Sequence, residues 1–309
     1  MLLTIRPPRF ARDGVVRILD GMGIKLPSGT KLEPGALNQR LRKALDAAQR
    51  FYEVFPNSDV NPDEYPEWKF EKPVHLCFHM NRNPEDDSRD VSPERNIEGN
   101  ELVEAGTGIP DFEDLQYEKS FKKMIYLIDD FSIHWDLKGY HGGNLDILLK
   151  DEETESAVFL RIVSIREIAL GKPMMFLNFV AVDESEKPED ERTFMKMESS
   201  YGVGVYPVST IELDLFLQLL FLNRKHISPN YRPPWESPTH LWNAASKHFN
   251  LSFFLPMAMP SDPDAVRLSK NSGCIICGEN TTGVCDRCQN AQYCGKDINR
   301  MPAIGLENA

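Results

Sequence analysis

The chain has 309 residues, of which 41% are hydrophobic, and this is enough to bury a full core in one large domain or two smaller ones. Its 47 acidic and 35 basic residues give a formal net charge of -12 at pH 7, which argues against nucleic acid as a main partner. The most apolar run, "LDLFLQLLFL", is shorter than the ~20 residues that span a bilayer, so we predict no membrane segment.

Residues 1–29 are predicted to be an N-terminal segment without a targeting signal. They contain arginines but no unbroken apolar region, and Asp13 and Asp20 are atypical of a transit peptide. A helix is predicted from Pro34 to Phe55, because apolar residues recur every three or four positions on one face. The inward positions of that helix are Leu37, Leu41, Ala44, Ala48, Phe51 and Phe55.

The next stretch, "KPVHLCFHM", alternates apolar and other residues, and this period of two predicts a half-buried strand. His75, Cys77 and His79 would share one face of that strand. We favour a structural role for these three over a metal site, since the pattern implies no fourth ligand. Residues 82–118 are polar, acidic and poor in aromatics, so we predict a mobile acidic insertion.

Four further strands are predicted at "KMIYLI", "NLDILL", "AVFLRIVSI" and "PMMFLNFVAV". Asp129 and Asp130, which follow the first of these, are expected in a solvated turn. Ser209 and Glu212 have the spacing of a capping box, which predicts the start of a mostly buried helix. Another short helix is predicted to begin at Ser237, whose side chain can cap it.

This order of helix, several strands and then helices predicts an α+β domain over residues 30–258. Residues 259–272 are rich in proline and small polar residues and are predicted to be a linker. The whole chain is thus expected to be one larger domain followed by a small C-terminal zinc-finger segment, residues 273–309.

Five of the six cysteines lie within residues 274–294, and Cys77 is far from them. This is unlike the spread pairs of a secreted domain, and it predicts a reducing compartment, the cytosol or the nucleus. Each C-x2-C pair can point two thiolates at one tetrahedral metal ion, and two such pairs predict a zinc site. The predicted Zn²⁺ ligands are Cys274, Cys277, Cys285, Cys288 and Cys294.

The spacing of the cysteines allows two other interpretations. A redox C-x-x-C motif is disfavoured, because such a motif should lie beside a βαβ unit and none is found. A ribbon with one zinc stays open, since four thiolates complete a tetrahedral site without the fifth cysteine. Its ligands would be Cys274, Cys277, Cys285 and Cys288.

The spacing C-x2-C-G-x6-C-x2-C-x4-Y-C over residues 274–294 resembles the first half of a MYND-type zinc finger. Gly278 and Tyr293 lie where that family often has a glycine and an aromatic residue. The resemblance implies a cross-braced pair of zinc ions and a finger that binds proline-containing peptide segments of other proteins. It assigns Cys274, Cys277 and Cys294 to the first zinc, and Cys285 and Cys288 to the second.

The family pattern continues with a cysteine, a histidine and a last cysteine, whereas here position 298 is Ile298 and no Cys or His follows Cys294. The finger is therefore partial, and residues 295–309 are a non-matching tail. Gly295-Lys296 can be encoded by GGT-AAG, which contains a common intron start. We hypothesise that the tail is read from an unspliced intron; a transcript and gene that are continuous across codon 295 would reject this.

The leading hypothesis for function is a zinc-binding protein that is not an enzyme and that mediates protein–protein interaction through the finger. The chain contains no G-x-S-x-G, G-x4-G-K-[ST], G-x-G-x-x-G or H-E-x-x-H motif. The alternative is an enzyme in the α+β domain with the finger as an accessory module. A pocket that gathers His134, Asp136 and His141 would favour that alternative.

Overall fold

The computed structural model describes most of the chain between residues 8 and 270 and four residues near the C-terminus. The described residues are 8, 10–26, 32–55, 59–69, 72–79, 112–139, 145–154, 156–183, 203–231, 249–270, 283–284 and 292–293. The helices are α1 (Arg12–Gly21), α2 (Pro34–Gln49), α3 (Phe51–Val54), α4 (Val74–His79), α5 (Phe112–Gly139), α6 (Thr210–Arg224) and α7 (Asp262–Lys270). The strands are β1 (Leu145–Asp151), β2 (Ser156–Ala169), β3 (Lys172–Asp183), β4 (Val203–Val208), β5 (Asn250–Phe254), β6 (Gly283–Val284) and β7 (Gln292–Tyr293). The predicted α+β class is confirmed.

The main sheet has five strands in the order β4-β1-β2-β3-β5, and only the β1–β4 pair is parallel. The predicted strands at "NLDILL", "AVFLRIVSI" and "PMMFLNFVAV" are confirmed as β1, β2 and β3. Successive residues of β1 point to opposite faces of the sheet. Leu149 belongs to the large core that the helices cover, and Leu148 packs with Phe159 on the other face. Gly171 turns the chain from β2 into β3 with φ 71°, which favours glycine.

The predicted amphipathic helix from Pro34 and the predicted buried helix after Ser209 are both present, and the first has one interruption. α2 begins at Pro34 as expected, but Arg50 adopts a left-handed conformation with φ 51°, so the helix stops at Gln49 and α3 follows as a separate turn. α6 has the predicted capping box: the Glu212 amide donates to Ser209 Oγ at 3.4 Å, and the Ser209 amide donates to Glu212 Oε2 at 3.0 Å. Most side chains of α6 are buried, as its apolar composition predicts.

The strand predicted at "KPVHLCFHM" is wrong, because residues 74–79 form helix α4. The amides of Val74 and His75 each donate to the Asp136 carboxylate at 2.9 Å, so a distant side chain supplies the cap that the local sequence lacks. The alternating pattern was compatible with either structure over so short a run.

The strand predicted at "KMIYLI" is also wrong, because these residues lie inside the long helix α5. Phe121, Met124, Ile128 and Phe131 are buried at helical spacing. Asp129 and Asp130 are therefore mid-helix residues, one buried and one exposed, and not part of a solvated turn. Residues 112–118 of the predicted insertion belong to α5 as well, and the remainder, 82–111, lies outside the described residues.

Both flanking segments contribute to the large core. Within residues 1–29, α1 buries Ile18 and Leu19, and within the predicted linker α7 buries Leu268. The Leu268 carbonyl accepts from Arg40 Nη1 at 2.8 Å, which ties α7 to α2. The helix predicted at Ser237 lies outside the described residues. In the described part of the chain, no helix combines the length and the apolar composition that crossing a bilayer requires.

Candidate functional site

The contact between α4 and α5 organises the polar groups on this side of the large domain. Asp136, near the C-terminal end of α5, accepts the two amide bonds at the start of α4. Its Oδ2 atom also lies 2.7 Å from His75 Nδ1. A carboxylate at a helix N-terminus is stabilised by the backbone amides and by the helix dipole. The Asp136 side chain is thereby fixed in orientation, and it fixes the start of α4.

His75, Cys77 and His79 do not share one face, because on a helix Cys77 points away from the two histidines. His75 contacts Asp136, and His79 Nδ1 lies 4.0 Å from Asp129 Oδ2. The half-buried Cys77 packs against the large core, and burial is the main cause of its raised pKa. A thiol with a raised pKa is a poor nucleophile at neutral pH.

A cleft of about 140 Å³ opens between the start of α4, the end of α5 and the middle of β2. Its wall is mixed, with five apolar residues, three charged residues and one serine. The apolar lining consists of Trp68, Val74, Trp135, Val163 and Ile165. Tryptophan offers a large rigid surface, so two such side chains in one cleft favour contact with an apolar group.

The segment that carries Trp68 is held against β2 by backbone hydrogen bonds. The Trp68 amide donates to the Ile165 carbonyl at 2.9 Å, and the Glu167 amide donates to the Pro66 carbonyl at 2.9 Å. The indole Nε1 of Trp68 donates to the Lys72 carbonyl at 2.6 Å. These bonds fix both the backbone and the ring of Trp68, so this wall of the cleft is preformed.

The charged groups around the cleft are paired with one another. Lys72 Nζ lies 3.7 Å from Glu167 Oε1, and Glu67 Oε1 lies 3.7 Å from Arg166 Nη2. Asp136, the remaining acidic group of the lining, already accepts from Val74 and His75. The charged side chains at the cleft therefore have partners within the fold.

His134 and Asp136, both on α5, lie in different surroundings. Asp136 lines the cleft, whereas His134 Nδ1 is hydrogen-bonded to the hydroxyl of Tyr206 on β4. Burial, with a smaller contribution from Asp130, raises the pKa of Tyr206 to about 12. His141, the third member of the predicted pocket, lies outside the described residues.

Two carboxyl groups away from the cleft have strongly raised pKa values. Burial raises the pKa of Asp46 to about 7 against the opposing effect of Lys225, and its Oδ1 atom has no hydrogen-bond partner among the described residues. Burial, reinforced by Asp151, raises the pKa of Asp214 to about 6. Asp151 itself accepts from the hydroxyls of Thr154 and Thr210 at 2.6 and 2.8 Å. The raised pKa values make the contribution of both groups to stability dependent on pH.

The five predicted zinc ligands, Cys274, Cys277, Cys285, Cys288 and Cys294, lie outside the described residues. Between them, β6 and β7 form a short antiparallel ladder in which Gly283 pairs with Tyr293 and Val284 pairs with Gln292. Val284 directly precedes Cys285, and Tyr293 directly precedes Cys294. Val284 and Tyr293, which precede these two cysteines, therefore belong to different residue pairs of the ladder.

Within the described residues, no group of three or more His, Cys, Asp or Glu side chains is arranged to hold a metal ion. The comparisons of this chain with protein-family models, with curated proteins and with solved structures gave no match.

The cleft was missed by reasoning from the sequence. Its walls come from four separate parts of the chain, around residues 68, 74, 135 and 163–165, and no local pattern connects them. The two tryptophans are the available signal, since tryptophan is enriched at contact surfaces. That signal gains meaning only when the fold places Trp68 and Trp135 around one space.

Proposed function

We propose that the protein binds zinc through its C-terminal cysteines and mediates protein–protein interaction through that zinc-binding segment. The observation that carries the proposal is the spacing of two C-x2-C pairs and a fifth cysteine within residues 274–294. Thiolates crowded into so short a segment repel one another until a cation neutralises them. The proposed ligands are Cys274, Cys277, Cys285, Cys288 and Cys294.

In the one-zinc arrangement the zinc has a structural role, because four cysteine ligands leave no position open for a substrate. The finger would present a surface to proline-containing segments of other proteins, as its resemblance to MYND-type fingers implies. Free thiolates need a reducing compartment, so the proposed location is the cytosol or the nucleus.

The test is the zinc content per chain of purified, metal-replete protein, measured by elemental analysis. Cys274→Ser and Cys285→Ser should each lower it, and Cys77→Ser is the matched control, because Cys77 packs on the large core. Cys294→Ser separates the two arrangements: it lowers the zinc content of a cross-braced pair and leaves that of a one-zinc ribbon unchanged. Unaltered zinc in both Cys274→Ser and Cys285→Ser would reject the proposal.

The interaction part of the proposal needs its own measurement. A labelled proline-containing peptide should show a saturable rise in fluorescence anisotropy with the zinc-loaded protein. Chelation should abolish that rise, and a matched peptide with alanine in place of proline should not produce it. An equal signal with both peptides would contradict recognition of proline while leaving zinc binding intact.

A further inference from the structure

We propose that Asp46 makes the junction of α2, α6 and β5 sensitive to pH: the junction is closed while the Asp46 carboxyl is protonated, and it opens locally when that group ionises. Asp46 lies in the last turn of α2 and is 7% exposed. Its Oδ1 atom has no hydrogen-bond partner among the described residues. Buried polar atoms without a partner are rare in folded proteins, so packing alone does not account for this carboxyl.

The position of Asp46 in its helix also disfavours the ionised form. α2 ends at Gln49, because Arg50 adopts a left-handed conformation with φ 51°. The Arg50 amide donates back to the Ala47 and Asp46 carbonyls at this end of the helix. Carbonyl groups at a helix C-terminus carry partial negative charge, and they repel a carboxylate in the last turn. Burial and the helix end therefore both favour a neutral Asp46.

A small set of neutral hydrogen bonds holds the junction closed. Gln49 Nε2 donates to Asn223 Oδ1 at 3.1 Å, and Asn223 Nδ2 donates to Gln49 Oε1 at 2.8 Å. Asn223 Nδ2 also donates to the Phe253 carbonyl on β5 at 2.7 Å. A neutral hydrogen bond contributes little net free energy to folding. Solvation of an ionised Asp46, three residues before Gln49, can therefore separate this pair.

The charged groups at the junction compensate an ionised Asp46 only in part. Lys225, which follows α6, is the cation that acts on Asp46, and it is exposed. The Arg42 guanidinium hydrogen-bonds to α6 at 3.5 Å, and Arg50 acts on Asp264 of α7. β5 has no charged residue. Solvent and salt screen an exposed lysine, so Lys225 lowers the cost of ionisation without removing it.

The direction of the response follows from the two environments of the carboxyl. Burial, opposed by Lys225, raises the pKa of Asp46 to about 7 in the closed junction. A carboxyl in water titrates near 3.9. Opening therefore releases a proton, and the ratio of open to closed forms should grow by up to about tenfold per pH unit above pH 7. Below about pH 4 both forms are protonated, and the closed form keeps its full advantage.

Native-state hydrogen exchange of the full-length protein, from about pH 6 to pH 9, tests the inference. Protection factors correct for the intrinsic pH dependence of exchange. Those of the Gln49 and Arg50 amides should fall by up to about tenfold per pH unit above pH 7. The Val74 amide in α4 should show no such dependence, because α4 can open while Asp46 stays buried. Leu160, buried in the middle of β2, should be about tenfold or more better protected than Gln49 at pH 8.

Three variants identify the group that titrates. Asp46→Asn keeps the size of the side chain and cannot ionise, so protection at the end of α2 should no longer depend on pH. Lys225→Gln removes the opposing charge and should move the midpoint to higher pH, which also keeps the inference testable if Asp46→Asn fails to fold. His226→Gln is the control, because histidines titrate in a nearby range and the His226 ring stacks on Phe51 at 3.9 Å. It should leave the midpoint in place.

Three results would overturn the inference: protection of Gln49 and Arg50 that does not change with pH, a dependence that persists in Asp46→Asn, or a dependence that disappears in His226→Gln. Equal protection of Gln49 and Leu160 at every pH would also overturn it, because ionisation would then unfold the whole domain. These outcomes are independent of the zinc measurements, since Asp46 and the amides that report on it lie in the large domain.

Discussion

Helices α4 and α6 begin with the same chemistry, a side-chain oxygen that accepts backbone amides, but they obtain it from different places. In α6 the groups are Ser209 and Glu212, within its own first turn. In α4 the acceptor is Asp136, which lies about sixty residues further along the chain. A local cap can form as soon as the helix does, whereas the remote cap exists only when α4 and α5 are already packed.

The lengths of the two helices make this difference important. α6 has 15 residues and buries most of them, whereas α4 has six, well below the ~12–15 at which an isolated helix becomes stable in water. We infer that α4 is a product of the tertiary fold and that Asp136 is its main support. The cleft shares this dependence, because Val74 and Asp136 both line it.

The largest expected effect comes from removing the remote cap. Asp136→Ala leaves the Val74 and His75 amides without their acceptor and breaks the contact with His75. Losing a charged acceptor of two amides should lower the free energy of unfolding by about 3 kcal/mol. Urea unfolding measures the loss, and hydrogen exchange at Val74 and His75 should rise more than exchange in α6.

Asp136→Asn is the control for charge. It keeps one carbonyl oxygen as an acceptor, so its free energy of unfolding should lie between that of the wild type and that of Asp136→Ala. Equal exchange rates in α4 for all three proteins would show that the remote cap does not support this helix.

The second prediction concerns Asp46, a buried carboxyl group that, unlike Asp136, does not cap a helix. Asp46 is 7% exposed, its Oδ1 has no partner among the described residues, and burial raises its pKa to about 7. The unfolded value is near 3.9, so the folded state retains a proton that the unfolded state releases between about pH 4 and 7. The contribution of the Asp46 carboxyl group to the free energy of unfolding is therefore fully present below about pH 4, and it is lost as the pH rises through about 7.

Asp46→Asn should remove this pH dependence and raise the free energy of unfolding at pH 8 by about 2 kcal/mol. The full linkage amounts to ~4 kcal/mol, and the buried amide recovers only part of it because it still needs partners. Urea unfolding of both proteins from pH 4 to 8 gives the difference curve. A stability difference that does not change with pH would contradict the raised pKa.

The third prediction concerns the local cap. Ser209→Ala removes the acceptor of the Glu212 amide and should lower the free energy of unfolding by about 1 kcal/mol. In NMR spectra of protein labelled with ¹⁵N at tryptophan, the change should leave the indole N–H signals of Trp68 and Trp135 unaltered, whereas Asp136→Ala should shift them. Ser209→Thr, which keeps a hydroxyl acceptor, is the control and should retain most of the stability. Loss of α4 protection in Ser209→Ala would break the distinction between the two helices.

The same distinction explains which elements could be predicted from the sequence. α2 and α6 contain their start signals and their periodicity, and β1 to β3 are apolar runs bounded by turn residues, so these predictions were confirmed. The strand at "KPVHLCFHM" was wrong because its helical cap is remote. The strand at "KMIYLI" was wrong because its five apolar residues fit either the strand or the helix period. The helical period becomes clear only over the full length of α5.

The candidate sites divide in the same way. Zinc ligands spaced within 21 residues, from Cys274 to Cys294, can be recognised as a pattern, and their role stays a prediction. The cleft consists of single residues brought together by β2, α4 and α5, and their spacing in the chain carries no information about their neighbours in space. Sequence reasoning did not single out Trp68 or Trp135, and it could not place them together.

The smallest expected effect is a rate, and it reports directly on α4. Cys77 is half-buried against the large core, and burial is the main cause of its raised pKa, so its thiolate fraction at pH 7.5 is lower than that of a free cysteine. Alkylation of Cys77, followed by mass spectrometry of its peptide, should be roughly threefold to tenfold slower than in an unfolded peptide.

Asp136→Ala should bring the alkylation rate of Cys77 close to that of the peptide, because loss of the cap exposes the helix. Ser209→Ala should leave it unchanged, since α6 has its own cap. If Ser209→Ala accelerated Cys77 as much as Asp136→Ala did, the rate would report on global unfolding, and α4 would not depend on its remote cap more than on the rest of the fold.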